Sequence, residues 1–278
     1  MNYISFKINE DIKVKKFLEK NGFSKRAITD IVKTGYTIDG ITTSRNQDLK
    51  AGDVLQIPIE DENLDYDPIK GTLDIVYEDS HILVVDKAAN LTVNSKGQES
   101  LANHLAYYFQ ENNIKSKIRL VNRLDMNTSG LLMVAKNPYA FAYYQKQIED
   151  NNFFKYYLAV VEGNVKIDKT IKTKLSYNEN MKRYDVGSEG KLAISHFKTI
   201  DYDQKNNVSY IRADIKTGKT HQIRSQLSYL GHPIIGDKLY GSNIVMDRFL
   251  LHCYEIKFKK FIDRKLIDLN SKPSLVNI

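Results

Sequence analysis

In the run VNRLDMNTSGLL, residues 121–132, Asp125 stands between two apolar stretches and is followed by Asn127, Thr128, Ser129 and Gly130. Short polar side chains of this kind hydrogen-bond a carboxylate and fix it at the mouth of a strand. An ionised acid held there can act as a nucleophile or move a proton. The same residues can equally close a turn around a purely structural aspartate. Two further segments hold groups that could assist such chemistry: FKYYLAVVEG (154–163), with Lys155 and Tyr157, and KTGKTHQIRSQLSYLGHPIIGDKLYG (216–241), with Lys219, His221 and Arg224.

Other chemistries fail on spacing. Thr217-Gly218-Lys219-Thr220 follows a strand-like run and opens a helix-like one, the context of a phosphate-binding loop. That loop needs a glycine five positions before Gly218, and Ala213 stands there. Asp125, Asn127 and Ser129 start like a calcium loop, but its twelfth position is Lys136 where a bidentate Glu is required. The histidines at 81, 104, 196, 221, 232 and 252 and the lone Cys253 have no zinc-ligand spacing. No Gly-x-Ser-x-Gly elbow occurs. No metal site is expected.

The 278 residues are enough for one large and one small domain around ordinary apolar cores. Lys and Arg outnumber Asp and Glu by 41 to 34, giving a formal charge of +7. That excess favours a polyanionic partner without proving one. A single cysteine precludes an intrachain disulfide and suits a reducing cytoplasm. Neither a signal-peptide core nor an apolar run of about 18 residues is present, so no membrane association is expected.

The stretch EDENLDYDP (60–68) has five acids, no base and a closing proline, and it reads as a linker. The chain thus divides into three parts: residues 1–60, an acidic linker over 61–70, and a large domain over 71–278. In the first part, Ile12, Phe17 and Lys20 predict a short helix ending at Asn21-Gly22. Ser24 caps a second helix that closes at Gly35. Asp39-Gly40 between Tyr36–Ile38 and Ile41–Thr43 predicts a tight hairpin, and a short strand comes after Ala51-Gly52-Asp53. Residues 11–50 carry nine Lys/Arg against five Asp/Glu, among them Lys25, Arg26 and Lys33. Such a charge run by itself describes a solvated helical face. After Pro68, strands are predicted near 73–77, 82–85, 131–135, 156–161, 193–200, 208–215 and 249–258. Helices are predicted around 101–109, from Asn137-Pro138 through Ile148, and from about Thr220 to a stop at Gly231. Strands outnumber helices without alternating regularly with them. The expected class is α+β with a mainly antiparallel mixed sheet.

The order of elements in residues 1–60, with FSKRAITDIVKTGYTIDG, resembles the alpha-L RNA-binding domain first known from a ribosomal small-subunit protein. Lys15 stands where that family often has an acid. VVDKAANLTVN (84–94), VNRLDMNTSGLL, FKYYLAVVEG and the 216–241 segment, in that order, closely resemble the RluA-type pseudouridine synthases over roughly residues 73–260.

This second resemblance implies the pseudouridine synthase fold with a basic cleft, no cofactor, and Asp125 as the essential carboxylate, acting as nucleophile or base. It implies that Arg224 pairs with Asp125 and favours its ionised form, and that Tyr157 stacks on an everted uracil. Arg123 would hold the space that base leaves. Lys87, Lys155, Lys219 and His221 are candidates for phosphate contact or for positioning a helix. The implied partner is RNA, large-subunit ribosomal RNA before transfer RNA, met by a cytoplasmic monomer. Asn122, Asn94 and Gln226 stand where relatives often have histidine, which weakens any inference about the uridine chosen. Two rival readings are a non-catalytic RNA-binding assembly factor on the same fold and a uridine-directed glycosidase releasing free base.

Overall fold

The computed structural model describes residues 2–95 and 97–272. Met1, Lys96 and residues 273–278, which fall within the expected first and last parts, lie outside the described residues.

The chain opens with β1 (Asn2–Lys7), β2 (Ile12–Lys13), α1 (Val14–Lys20), α2 (Lys25–Thr34), β3 (Tyr36–Ile38), β4 (Ile41–Thr43), β5 (Asp48–Leu49) and β6 (Val54–Ile59). One antiparallel sheet runs β1-β6-β3-β4. The Ser24 hydroxyl accepts from Ala27 N at 3.2 Å and starts α2 as expected. Asp39 and Gly40 both have positive φ, 48° and 81°, as the tight hairpin requires. Two details differ from expectation. β1 was not anticipated, although Ile4 and Phe6 alternate inward along it. Ile12 does not join the first helix, because its backbone pairs with Leu49 and the helix begins at Val14.

Residues 60–73 form no helix or strand but are fastened down. Asp61 meets Lys115 at 3.0 Å and Glu62 meets Arg119 at 2.5 Å. Asp65 accepts from the backbone N–H of Ile118, and Asn103 donates to the carbonyl of Asp67. The acids that suggested a solvated linker are therefore partly spent on local ion pairs. An aromatic cluster joins the small sheet to the larger, C-terminal part of the chain. Phe6 and Phe23 each lie 6.0 Å from the Phe261 ring, and Phe23 lies 5.4 Å from Tyr139. Arg264 donates to both the carbonyl and side chain of Asn21.

The larger part contains β7 (Asp74–Glu78), β8 (Ile82–Lys87), α3 (Leu101–Glu111), β9 (Arg119–Leu120), β10 (Ser129–Ala135), α4 (Pro138–Glu149), β11 (Phe154–Glu162), β12 (Asp168–Asn178) and β13 (Arg183–Gly187). It continues with β14 (Lys191–Asp203), β15 (Val208–Ile215), α5 (Gln222–Tyr229), a single 3-10 turn (Lys238–Tyr240), β16 (Leu251–Lys259) and β17 (Leu266–Asn270). Among the described residues, eleven strands form one sheet along the path β13-β12-β14-β15-β11-β16-β10-β8-β7, with β17 added to β16 and β9 to β10. Every pairing described in it is antiparallel except β10 with β16. The class is α+β, as expected. Unforeseen were β12, β13, β17 and the two-residue β9. β12 reads DKTIKTKLSYN and buries only Leu175 fully, so its lysines mask the alternation.

The sheet's centre positions the site. β10, SGLLMVA, is buried at every residue, as expected of a strand covered on both faces. The parallel contact with β16 spans only Ser129↔His252 and Gly130↔Cys253. Gly130 has φ +111°, and a Cβ there would fall 2.3 Å from the Cys253 carbonyl oxygen. Gly130→Ala should therefore cost about 3 kcal/mol or more, combining left-handed strain with overpacking. Thermal unfolding reads this directly, and an unchanged Tm would contradict the close approach. Among the described residues no helix is long and apolar enough to cross a membrane.

Candidate active site

Asp125 sits in the loop between β9 and β10, where the Thr128 N–H closes a turn on the Asp125 carbonyl at 3.0 Å. The loop is held from below. Asn122, buried, donates to the Leu131 carbonyl and accepts from the Met133 N–H at 2.8 Å. Asn122 thus stitches the loop to β10.

Lys87 supports the loop from β8. Its ammonium is fully buried and donates to the carbonyls of Ala88, Leu91 and Met126 at 2.7, 2.9 and 2.9 Å. All three donors are used, so none is left for a phosphate, and the residue positions the turn beside Asp125. Burial lowers its pKa to about 8, with Asp125 opposing.

Arg224, in the first turn of α5, reaches Asp125 Oδ2 through Nη1 at 3.2 Å. Its Nε and Nη2 form a fork on Asp237, at 2.7 and 2.9 Å. Burial alone would lower the guanidinium pKa, but Asp237 first and Asp125 second hold it above its ordinary value. The planar group also lies against Phe249 at 4.2 Å. Asp237 lies within the 216–241 segment, yet nothing in its local sequence, GDKLYG, distinguishes it from a turn aspartate. Its pairing is purely a product of the tertiary fold.

His221 caps α5 in the left-handed conformation, φ 56°. Its Nδ1 shares a hydrogen bond with the Tyr240 hydroxyl at 3.1 Å, and Nε2 lies 3.9 Å from Asp125 Oδ2. Burial lowers its pKa; Asp125 opposes this and Arg224 reinforces it. The imidazole is therefore neutral around pH 7. Upstream, Gln222 accepts from the Thr217 hydroxyl and the Lys219 N–H, so residues 217–220 lead into the helix.

Tyr157 projects from β11 and is 5 % exposed. Its pKa is raised well above the usual phenol value, by burial first and the Cys253 thiol second. It stays protonated at neutral pH and can donate a hydrogen bond or offer a ring face. Two residues earlier, Lys155 is buried on the same strand face.

Asp125, Tyr157 and Arg224 line one cavity of about 320 Å³, together with Arg123, Lys155, Lys219 and His221. That volume is at the lower end of small-molecule sites and suffices for a nucleoside. Arg123 is exposed at its wall. Of the candidates, Lys87 is outside the cavity wall, and so are Lys25, Arg26 and Lys33, which belong to α2. Gln226 is buried, accepts from the Ser195 hydroxyl and donates to Thr173, tying α5 to β12 and β14. Asn94 is exposed and outside the cavity wall. Among the described residues no group of three His, Cys, Asp or Glu side chains could hold a metal ion.

The arrangement holds the Asp125 carboxyl against a guanidinium at the edge of a half-apolar cavity, beside a protonated phenol. Residues 81–229 match the family model described as RNA pseudouridylate synthase. An uncharacterized RNA pseudouridine synthase of Bacillus subtilis, YhcT, is 36% identical over 80% of this chain and 76% of its own. Ribosomal large subunit pseudouridine synthase D of Pseudomonas aeruginosa is 34% identical over 61% of this chain and 53% of its own. The solved structure of human RNA pseudouridylate synthase domain containing 1 superposes with a TM-score of 0.61 at 26% identity, covering 72% of this chain and 83% of that one. With this match over more than half its length, the chain belongs to the RNA pseudouridylate synthase family, an isomerase family acting on RNA.

Proposed function

We propose that this enzyme isomerises uridines of large-subunit ribosomal RNA, with Asp125 as the catalytic carboxylate. The observation that carries the reading is the Asp125–Arg224 pair at 3.2 Å on the wall of a nucleoside-sized cavity that also includes Tyr157. In the reaction the N1–C1′ bond breaks, the uracil turns, C5 bonds to C1′, the C5 proton leaves to solvent, and N1, freed from the sugar, ends with a proton taken up in its place. Asp125 serves either as nucleophile or as base, and both roles need its ionised form. Tyr157 offers its ring to the everted base and its hydroxyl as a donor. Arg123, exposed at the wall, is suited to the gap an everted nucleotide leaves. Lys219 and His221 border the same opening.

Ribosomal RNA is favoured over transfer RNA by the name of the Pseudomonas relative, and a cytoplasmic monomer fits that substrate. Comparing pseudouridine maps of ribosomal and transfer RNA with and without the gene tests the assignment. Loss of a modification in large-subunit RNA is expected. Loss only in transfer RNA would redirect the substrate, and unchanged maps would favour a pure binder. Free uracil in the medium would instead mark a glycosidase.

Residues 1–60, on this reading, form an alpha-L-type RNA-binding unit, and 61–70 a strap leading to the catalytic residues 71–278. Lys25, Arg26 and Lys33 lie on α2 and supply its positive charge. Changing all three to Ser should weaken RNA binding and reduce the slope of log affinity against log salt by roughly two to three, since each lost phosphate contact removes nearly one counterion. An unchanged slope would remove α2 from the interface.

A further inference from the structure

We infer that Lys155 is the residue that recognises the everted base, donating a hydrogen bond from its ammonium to a ring carbonyl of uracil in the Asp125 cavity. This rests on the functional reading above.

Two buried lysines flank the site and are treated oppositely by the fold. Lys87 has all three donors matched by carbonyls. Lys155 is 8 % exposed, yet among the described residues no carboxylate, carbonyl or hydroxyl accepts from it. Its neighbours include the Phe153 ring, 5.8 Å from Nζ, and Cys253, whose thiol burial pushes up to about 12, so that it carries no charge near neutral pH. The open space beside the side chain is the cavity. A buried amine without an acceptor is costly to keep. A ligand that brings an acceptor removes that cost only when bound.

The cavity wall identifies the acceptor's class. Ile148, Ile215 and Leu251 line it beside Lys155 and Tyr157, and Leu251 and Tyr157 lie on the paired strands β16 and β11. Apolar side chains around the Lys155 ammonium and the Tyr157 hydroxyl suit the edge of a flat neutral ring. Arg123 and Lys219 on the same wall are less buried than Lys155 and better placed to meet a phosphate. Uracil carries two ring carbonyls, whereas cytosine replaces one with an amino group that an ammonium cannot donate to.

The test uses full-length wild-type protein and Lys155→Met, with transcribed large-subunit ribosomal RNA tritiated at uridine C5, each turnover releasing tritium to water. For the variant we expect a single-turnover rate at least tenfold lower, RNA Kd within twofold, and a Tm equal to or above wild type, because an unmatched buried amine has been removed. The wild-type rate should also fall at alkaline pH along a limb the variant lacks. A variant rate within twofold of wild type would overturn the proposal. So would a weaker Kd with a shallower salt slope and unchanged saturating rate, which marks a phosphate contact, or a lowered Tm, which marks a purely structural lysine. If wild-type protein itself releases no tritium from this RNA, the substrate reading has failed, which is a different result from the failure of Lys155.

Discussion

Asp125→Asn is expected to lower pseudouridine formation by about a thousandfold or more while leaving the protein folded and able to bind RNA. The substitution keeps the shape of the side chain and removes only its charge and basicity. Arg224 would remain forked on Asp237 at 2.7 and 2.9 Å, so no buried guanidinium is orphaned. Asp125 itself is 27% exposed and lies at the end of this ion-pair chain. The turn that carries it is set by backbone and by Asn122 and Lys87, none of which uses the carboxylate. Tritium release from C5-labelled RNA measures the loss, and gel retardation of the same RNA measures retained binding. Turnover within tenfold of wild type would remove Asp125 from the chemistry.

Asp237→Asn should act through stability and positioning. The Arg224 and Asp237 side chains are 7% and 1% exposed. Removing one charge of so deeply buried a pair costs about 3–5 kcal/mol, since the guanidinium loses its fork in a medium that solvates it poorly. For a chain of this size that is a Tm drop on the order of 10 °C. Arg224 would also lose the anchor that aims Nη1 at Asp125, so kcat should fall at least tenfold at temperatures where the variant is folded. Circular dichroism melts and single-turnover rates give the two readings separately. A melt within about 2 °C of wild type, with unchanged turnover, would show that Asp237 does not hold the arginine.

Burial also gives the stability of the fold a pH dependence. His81, His221 and His252 all have pKa values lowered by burial. The unfolded chain therefore takes up protons at these positions before the folded one does. Their neutral packing is fully favourable above the ordinary histidine value of about 6.5 and is progressively lost as pH falls below it.

Local sequence was enough wherever one residue type meets one backbone demand. Asp39-Gly40 declared its hairpin because both residues tolerate positive φ, and Ser24 and Asn137 declared helix starts because their oxygens reach the third residue's N–H. Runs such as LLMVA declared buried strands through unbroken apolarity. Four ordered motifs were enough to name the family. Strands failed to announce themselves where lysine covered their outer face, as in β12, or where pairing took only two residues, as in β9.

What the linear chain could not decide was the state of each charge. Lys87 and Lys155 look alike as basic residues beside apolar ones, yet one is saturated by carbonyls 1, 4 and 39 positions away and the other faces a cavity. Asp237 reads as a turn aspartate until α5 brings Arg224 onto it from 13 positions away, while the same arginine meets Asp125 from 99 away. Hydrogen bonding and desolvation depend on distance in space, and only the folded sheet sets those distances.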